Sequence, residues 1–321
     1  MSPAERLPAA ARAVVAGDRR ALARLITAVE NHDPSALPSL RALYRRTGTA
    51  RIIGLTGPLG VGKSSLINGL LRLLRQRGLK VGVVAVDPSS PFSGGSVLGD
   101  RVRIERQVGD DGVFLRSMAS RGHTGGVAAA TREVCRLLEA FGIDVILVET
   151  VGSGQVDVEI REVATTSIVV LVPHLGDEVQ SLKAGLFEIA DVFCVNKADL
   201  AGADLAAKDL AELVSLGANP DGWRPAVVTT SAQTGDGMDT LWSAIDAHEQ
   251  FLDSKDLRRT GERRRLAREI VGLVRERVGR ELTDALDHDP ELNELLDRLV
   301  ARTTDPYAAA DQLYRDARAK R

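Results

Sequence analysis

Seven short apolar segments organise the middle of the chain. They lie at residues 51–56, 80–87, 112–117, 144–150, 167–172, 191–196 and 226–230, with helical patterns between them. Several are continuously apolar rather than alternating, which is typical of strands buried on both faces of a parallel sheet. We therefore predict an α/β domain with a mostly parallel, doubly wound sheet flanked by helices, and ligands bound beyond the carboxyl ends of its strands.

Helical spacing dominates both ends of the chain. Near the start, Leu22, Leu25, Ile26 and Val29 recur at helical intervals after a capping Asp18, and Asp33-Pro34 opens another short helix. Three helices are predicted beyond residue 255, and their apolar stripes must pack on the core or on another subunit. We predict a helical extension at 1–48, a core domain at 49–252 and a helical dimerisation arm at 253–321.

Composition narrows the partners. Lys and Arg total 42 against 44 Asp and Glu, so no global basic field favours nucleic acid or an anionic membrane, and neither is an expected partner. No run approaches the ~20 apolar residues that a membrane helix needs. Cys135 and Cys194 each lie in an apolar stretch, which indicates buried thiols in a reducing compartment. We expect a cytoplasmic protein that recognises its partners locally.

A phosphate-binding loop follows the first apolar segment. Residues 57–64 read GPLGVGKS, which matches G-x-x-x-x-G-K-[ST], and helically spaced leucines come next. Glycines let the backbone N–H groups surround a polyphosphate, Lys63 reaches the β- and γ-phosphates, and the Ser64 hydroxyl binds Mg²⁺. This context predicts a P-loop NTPase. Its nucleotide-binding residues here are Gly57, Pro58, Leu59, Gly60, Val61, Gly62, Lys63, Ser64 and Ser65.

A second motif selects the base. The sixth apolar segment ends in Asn196-Lys197-Ala198-Asp199, the pattern N-K-x-D. The Asp199 carboxylate can accept from the ring N–H and the exocyclic amine of guanine, a donor pair that adenine lacks on that edge. We expect Lys197 to lie along the base and Asn196 to brace the phosphate loop. Ser231 and Ala232 follow the last strand, where the Ala232 N–H can reach the guanine carbonyl oxygen.

A third motif has the features of a switch. Glu149 ends a very apolar strand and is followed by Thr-Val-Gly. Its carboxylate can hold Mg²⁺ directly or through water, and the N–H of Gly152 can sense the γ-phosphate, so hydrolysis would release this segment. Asp87 ends a strand beside the phosphate loop, and Asp100 follows a Ser/Gly-rich stretch. One or both can approach Mg²⁺; the other reading is that they cap mobile loops.

Together these motifs resemble the metallochaperone-type P-loop GTPases, and most closely the MeaB/ArgK branch, the MMAA type in animals. The resemblance spans nearly the whole chain. Besides 57–64 and 196–199 it is carried by DPSSPFSGGSVLGDRVR at 87–103, RSMASRG at 116–122, ETVGSGQ at 149–155 and QSLKAG at 180–185. The chain departs from the family pattern at His174, where a small residue is usual, at Leu59, and at 156–157.

The resemblance implies a function. Members of this branch act as chaperones of adenosylcobalamin-dependent acyl-CoA mutases. The resemblance therefore implies that the chain binds and hydrolyses GTP and gates cobalamin loading or protection in such a mutase. It also implies the adenosyltransferase as a further partner. The cobalamin would belong to the partner, and methylmalonyl-, isobutyryl-, 2-hydroxyisobutyryl- and ethylmalonyl-CoA mutase all fit as the client. The resemblance implies Asp87, Asp100 and Glu149 around Mg²⁺. It also implies a partner-facing switch at 174–186 with His174, Gln180 and Lys183.

The expected reaction is attack of water on the γ-phosphate of GTP. Lys63, Mg²⁺ and the loop N–H groups would stabilise the charge, and Gln155 is the candidate to position the water. Because no catalytic base or arginine finger is evident, we expect slow intrinsic hydrolysis that a partner accelerates. Two alternatives remain at this stage: a P-loop phosphotransferase of the ArgK kinase kind, and a nickel-insertion GTPase.

Overall fold

A computed structural model describes residues 7–88, 110–120, 126–150, 160–173, 188–216 and 221–319. Its strands are β1 (Arg51–Thr56), β2 (Val81–Pro88), β3 (Val113–Ser120), β4 (Val145–Thr150), β5 (Thr166–Leu171), β6 (Val192–Val195) and β7 (Ala226–Thr229). Its α-helices are α1 (Ala9–Val15), α2 (Arg19–Glu30), α3 (Leu37–Leu43), α4 (Lys63–Gln76), α5 (Gly126–Phe141), α6 (Ala203–Leu216), α7 (Met238–Ser254), α8 (Leu257–His288), α9 (Pro290–Val300) and α10 (Pro306–Ala319).

The seven strands form one sheet in the order β3-β2-β4-β1-β5-β6-β7. Every strand pair in the described ranges is parallel. The predicted α/β fold is therefore confirmed, and each predicted strand is present with bounds that shift by no more than a few residues. Parallel strands align their carboxyl ends at one edge, and the phosphate loop leaves that edge from β1, near the middle of the sheet.

Two apolar layers cover the two faces of the sheet. On one face, leucines of α4 pack with Leu241, Trp242 and Ile245 of α7. On the other, α5 packs with the N-terminal helices around Leu22, Ile26 and other buried residues. Burial on both faces explains why the central strands are apolar at consecutive positions, as the sequence pattern indicated.

The N-terminal helices are held by caps and by this shared core. The Asp18 carboxylate accepts from the backbone N–H groups of Arg20 and Ala21 at 2.8 and 3.0 Å, and Asp33 caps the turn that precedes α3.

Residues 1–260 and 261–321 form two compact units. The finer division at residues 48 and 252 stays a prediction.

The predicted C-terminal helices correspond to α8, α9 and α10. Much of the predicted stripe on α8 is exposed, since Ile270, Leu273, Val274 and Val278 keep between 38% and 61% of their surface accessible. Among the described residues, no helix is long and apolar enough to span a bilayer.

Candidate nucleotide-binding site

The phosphate loop depends on its glycines for two different reasons. Gly57, Gly60 and Gly62 all have positive φ, at 137°, 80° and 91°, a region that side chains with a Cβ rarely adopt. At Gly57 a Cβ would also lie 2.2 Å from the carbonyl oxygen of Val170 on β5. At Gly62 it would lie 2.5 Å from Nδ2 of Asn196. The loop can therefore sit directly against β5 and the residue that follows β6.

Lys63 is the first residue of α4 and is only 6% exposed. Its Nζ donates to the carbonyl oxygens of Gly57 and Pro58 at 2.7 and 3.0 Å. These bonds hold the ammonium group inside the loop, at the helix N-terminus, where the helix dipole also favours an anion. Leu59 stands at the crest of the loop and is 73% exposed.

Ser64 and Glu149 meet beside this loop. Ser64 Oγ donates to Glu149 Oε1 at 2.7 Å, and Glu149 is 8% exposed at the end of β4. Glu149 is the penultimate residue of β4 and pairs there with Leu55 of β1. A hydroxyl and a carboxylate are the hard oxygen donors that Mg²⁺ binds, and adjacent ligands of an octahedral Mg²⁺ lie about 3 Å apart. The pair therefore fits a magnesium ion.

Asn196 joins three segments of the site. Its Nδ2 donates to the carbonyl oxygen of Val61 in the phosphate loop at 2.8 Å. Its Oδ1 accepts from the N–H of Ala232 at 3.2 Å and from the hydroxyl of Thr230 at 3.3 Å. The side chain is 1% exposed. One buried amide thus links the loop after β1, the end of β6 and the loop after β7.

The residues predicted to recognise the base lie at the same edge of the sheet. Ser231 Oγ donates to Asp199 Oδ1 at 2.6 Å, while Asp199 itself is exposed. Lys197 has a left-handed backbone at φ 59°, and the next N–H, that of Ala198, donates to the carbonyl oxygen of Thr230 at 2.9 Å. An exposed carboxylate oriented by a buried hydroxyl can receive the two donors of a guanine edge.

Comparison with known proteins agrees with this geometry. The family model described as methylmalonyl-CoA mutase-associated GTPase MeaB matches residues 22–287. The chain belongs to the MeaB family. It is a GTPase, as the members of this family are.

Relatives of this MeaB-family chain match over most of its length. A Pyrococcus abyssi protein named as an inferred GTPase is 46% identical over 303 residues, covering 94% of this chain and 93% of that one. GTPase ArgK of Escherichia coli is 40% identical over 237 residues, covering 71% and 72%. The crystal structure of a LAO/AO transport system kinase is similar with a TM-score of 0.71 and 28% identity, covering 96% of each chain.

Other predicted site residues of the MeaB-family chain are only partly placed. Asp87 is the penultimate residue of β2, which pairs with β4 through Ala85 and Glu149, so its backbone lies at the same edge as Glu149. Asp100, Gln155, His174, Gln180 and Lys183 lie outside the described residues, and their roles stay predictions.

Sequence reasoning did not single out two buried hydroxyls at this edge. Thr150 Oγ1 donates to Thr56 Oγ1 at 2.9 Å, and the two residues are 3% and 0% exposed. They tie the strand end before the phosphate loop to the strand end that carries Glu149. Their signal was available, since each is a polar residue that ends an apolar strand, but only the pairing of β1 with β4 makes them partners.

Proposed function

We propose that this GTPase is a metallochaperone that gates cobalamin loading or protection in an adenosylcobalamin-dependent acyl-CoA mutase. The hydrogen bond from Ser64 to Glu149 carries the proposal. It connects the phosphate loop to the strand end where the predicted switch at 149–152 begins. Loss of the γ-phosphate can thereby change the conformation of a segment that is able to contact a partner. The family name supports a mutase as that partner.

The chain's own residues supply binding and positioning for hydrolysis. Lys63 turns its ammonium from the carbonyl oxygens of the loop to the β- and γ-phosphates when GTP enters, and the loop N–H groups hold the same oxygens. Asp199 and Lys197 orient the guanine, with Asn196 bracing the loop. Ser64 and Glu149 would hold Mg²⁺, aided by Asp87 and Asp100, and the ion would neutralise charge on the phosphates. Gln155 positions the attacking water.

Hydrolysis by the isolated chain is slow, because no described side chain at the site supplies a base or an arginine finger. A mutase that orders the segments at 149–155 and 174–186 accelerates it, with His174, Gln180 and Lys183 as the residues that contact the partner. Cobalamin stays with the mutase, and an adenosyltransferase is a further partner.

The exposed stripe of α8 joins two copies into a homodimer in the cytoplasm.

The decisive experiment pairs the protein with candidate mutases. Hydrolysis of GTP and of ATP is measured alone and with each purified cobalamin-dependent acyl-CoA mutase, and complex formation is followed by gel filtration with GDP and with a non-hydrolysable GTP analogue. We expect GTP-selective turnover, stimulation by one mutase and nucleotide-dependent binding. Failure to bind any such mutase in either nucleotide state would refute the chaperone role but leave GTPase activity intact.

The phosphotransferase alternative is supported by the similar crystal structure, since that protein is named a LAO/AO transport system kinase. The hydrolysis assay, repeated with GTP and ATP labelled on the γ-phosphate, distinguishes a phosphotransferase from a GTPase chaperone. Tight ATP binding with transfer of label to an acceptor, rather than release of inorganic phosphate, would favour a kinase over the chaperone.

A further inference from the structure

A second polar cluster lies at the opposite edge of the sheet from the phosphate loop, where β5 and β6 begin. It contains Thr166, Asp191, His248 and Glu249, which are 0%, 8%, 3% and 2% exposed. His248 and Glu249 lie on α7, whereas Asp191 immediately precedes β6. None of these side chains has a part in the proposed nucleotide chemistry, yet polar groups so deeply buried need satisfied hydrogen bonds.

Glu249 determines the direction of the hydrogen bonds. Its Oε1 accepts from the hydroxyls of Thr165 and Thr166 at 2.8 and 2.7 Å, and its Oε2 accepts from Arg258 Nη2 at 2.7 Å. Burial by itself would raise the pKa of Glu249, but the hydrogen bonds from Thr166 and Arg258 hold it below the ordinary value. The ionised carboxylate can only accept. The single hydroxyl hydrogen of Thr166 is therefore directed at Glu249.

His248 must then donate to Thr166. The Thr166 oxygen lies 2.9 Å from His248 Nδ1 and has already used its hydrogen, so Nδ1 carries a proton. In a neutral imidazole this leaves Nε2 as an acceptor. Nε2 faces Asp191 Oδ1 at 3.5 Å, and the other Asp191 oxygen accepts from the N–H of Ser167 at 2.8 Å. Two acceptors would face each other here unless a further proton lies between them.

We infer that His248 and Asp191 hold one proton between them and that this proton fastens α7 to the start of β6. The inference rests on hydrogen-bond geometry and does not depend on the proposed function. Burial raises the pKa of Asp191 and lowers the pKa of His248. Both shifts disfavour isolated charges, which agrees with a pair that is neutral as a whole.

Other charged groups surround the pair without replacing the proton. Arg161, before β5, and Arg258, in the first turn of α8, both disfavour a positive imidazole, whereas Glu249 favours it. Arg258 is committed to Glu249 and Asp253. Trp223 packs against His248 with ring centroids 4.9 Å apart and ring planes tilted by 54°, and its indole donates to the backbone oxygen of Asp191 rather than to the carboxylate.

The shared proton makes the anchoring of α7 sensitive to alkaline pH. In the unfolded chain, Asp191 and His248 take their ordinary pKa values of about 3.9 and 6.5, so above about pH 6.5 neither holds a proton. The folded pair still holds one. Each further pH unit therefore lowers the folding equilibrium constant about tenfold, until the folded pair also loses its proton. Between about pH 4 and 6.5 both states hold one proton and the pair contributes no slope.

Asp191→Asn tests this inference with a reversal of sign. The amide oxygen can accept from Ser167 N–H while the amide nitrogen donates to His248 Nε2, so no shared proton is needed. Above about pH 6.5 the folding equilibrium constant of the variant should no longer fall tenfold per pH unit. Below that pH, His248 binds a proton in the unfolded variant but not in the folded one, so the stability of the variant should fall on acidification. Asp239→Asn, which alters an exposed carboxylate at the start of the same helix that pairs with Arg77, should keep the wild-type profile.

The measurement is urea unfolding followed by far-UV circular dichroism between pH 5.5 and 8.5 for the three proteins. Parallel profiles for the wild type and Asp191→Asn would overturn the inference. Should the variant fail to fold, ¹⁵N-histidine NMR of the wild type decides, with His248→Asn used only to assign the signal. We expect Nδ1 to be protonated and Nε2 to be hydrogen-bonded through a proton at pH 7.5. A bare Nε2, or titration near pH 6.5, would contradict the shared proton.

Discussion

Ser64 donates a 2.7 Å hydrogen bond to Glu149, although the two residues belong to different elements, one at the start of α4 and the other at the end of β4. The bond exists because β4 is the neighbour of β1 in the sheet. It places two hard oxygen donors side by side next to the buried ammonium group of Lys63. This arrangement leads directly to a test of the metal site.

Glu149→Gln should weaken magnesium binding more than nucleotide binding. The amide keeps the shape and can still accept from Ser64, but it removes the charge that favours Mg²⁺. We expect the Mg²⁺ concentration for half-maximal GTP hydrolysis to rise about 10–100-fold. Glu281→Gln, an exposed glutamate paired with Arg277, is the control and should leave that concentration unchanged. An unchanged Mg²⁺ requirement in Glu149→Gln would remove Glu149 from the metal site.

Asp199→Asn should change the base preference of the site from guanine to xanthine. The asparagine offers one acceptor and one donor, and xanthine presents a ring N–H and a carbonyl where guanine presents two donors. We expect GTP affinity to fall about 100-fold through two mispaired groups while affinity for xanthosine triphosphate rises. Titration with fluorescent analogues of both nucleotides measures this. Equal losses for both nucleotides would mean that Asp199 does not read the base.

Asn196→Ala should behave differently, because the Asn196 side chain joins the phosphate loop to the loop after β7. Its removal leaves the oxygen of Val61 and the N–H of Ala232 without their buried partner. We expect the free energy of unfolding to fall by about 1–3 kcal/mol, with weaker binding of GTP and xanthosine triphosphate alike. A variant of full stability that loses only GTP binding would contradict this bracing role.

Two glycines of the loop form a matched pair. Gly57→Ala places a methyl group 2.2 Å from a backbone oxygen that cannot move aside, whereas Gly60→Ala meets no atom within 4 Å. We expect Gly60→Ala to lower the free energy of unfolding by about 1–2 kcal/mol through backbone strain, and Gly57→Ala by about 3 kcal/mol or more. Thermal and urea unfolding give the comparison. Similar losses at the two positions would show that the contact with β5 is not tight.

The ion pair between Arg116 and Glu30 should couple the N-terminal helices to the edge strand β3. Their side chains are 21% and 16% exposed, whereas those of Arg277 and Glu281 are 79% and 65% exposed. Double-mutant cycles should give a coupling of about 1 kcal/mol for the first pair, where solvent screens less, and about 0.3–0.5 kcal/mol for the second. Equal couplings would mean that α2 is not anchored through this contact.

The two cysteines should be inert in the native protein. Both are completely buried, and burial raises the pKa of Cys194 to about 12 and that of Cys135 further still. Since the thiolate is the reactive form, neither should react with a disulfide reagent at pH 8 until the chain is unfolded in urea. A thiol that reacts quickly under native conditions would contradict this burial.

Local pattern was enough for much of the fold. Apolar runs marked all seven strands, Asp18 and Asp33 marked helix starts, and the motifs at 57–64 and 196–199 predicted a guanine-nucleotide site. These signals are local because a strand buried on both faces, a capped helix and a glycine-rich loop each impose their requirement within a few residues.

The residue pattern alone therefore specifies the elements and the chemistry carried at their ends. The tertiary structure decided which ends meet: β4 beside β1 brings Glu149 to Ser64, β5 closes on Gly57, and α7 places His248 against Asp191. Strand order and helix docking depend on contacts between distant parts of the chain, and no local period records them. The shared proton is such a case, since it exists only where burial, Thr166 and Glu249 converge on one imidazole.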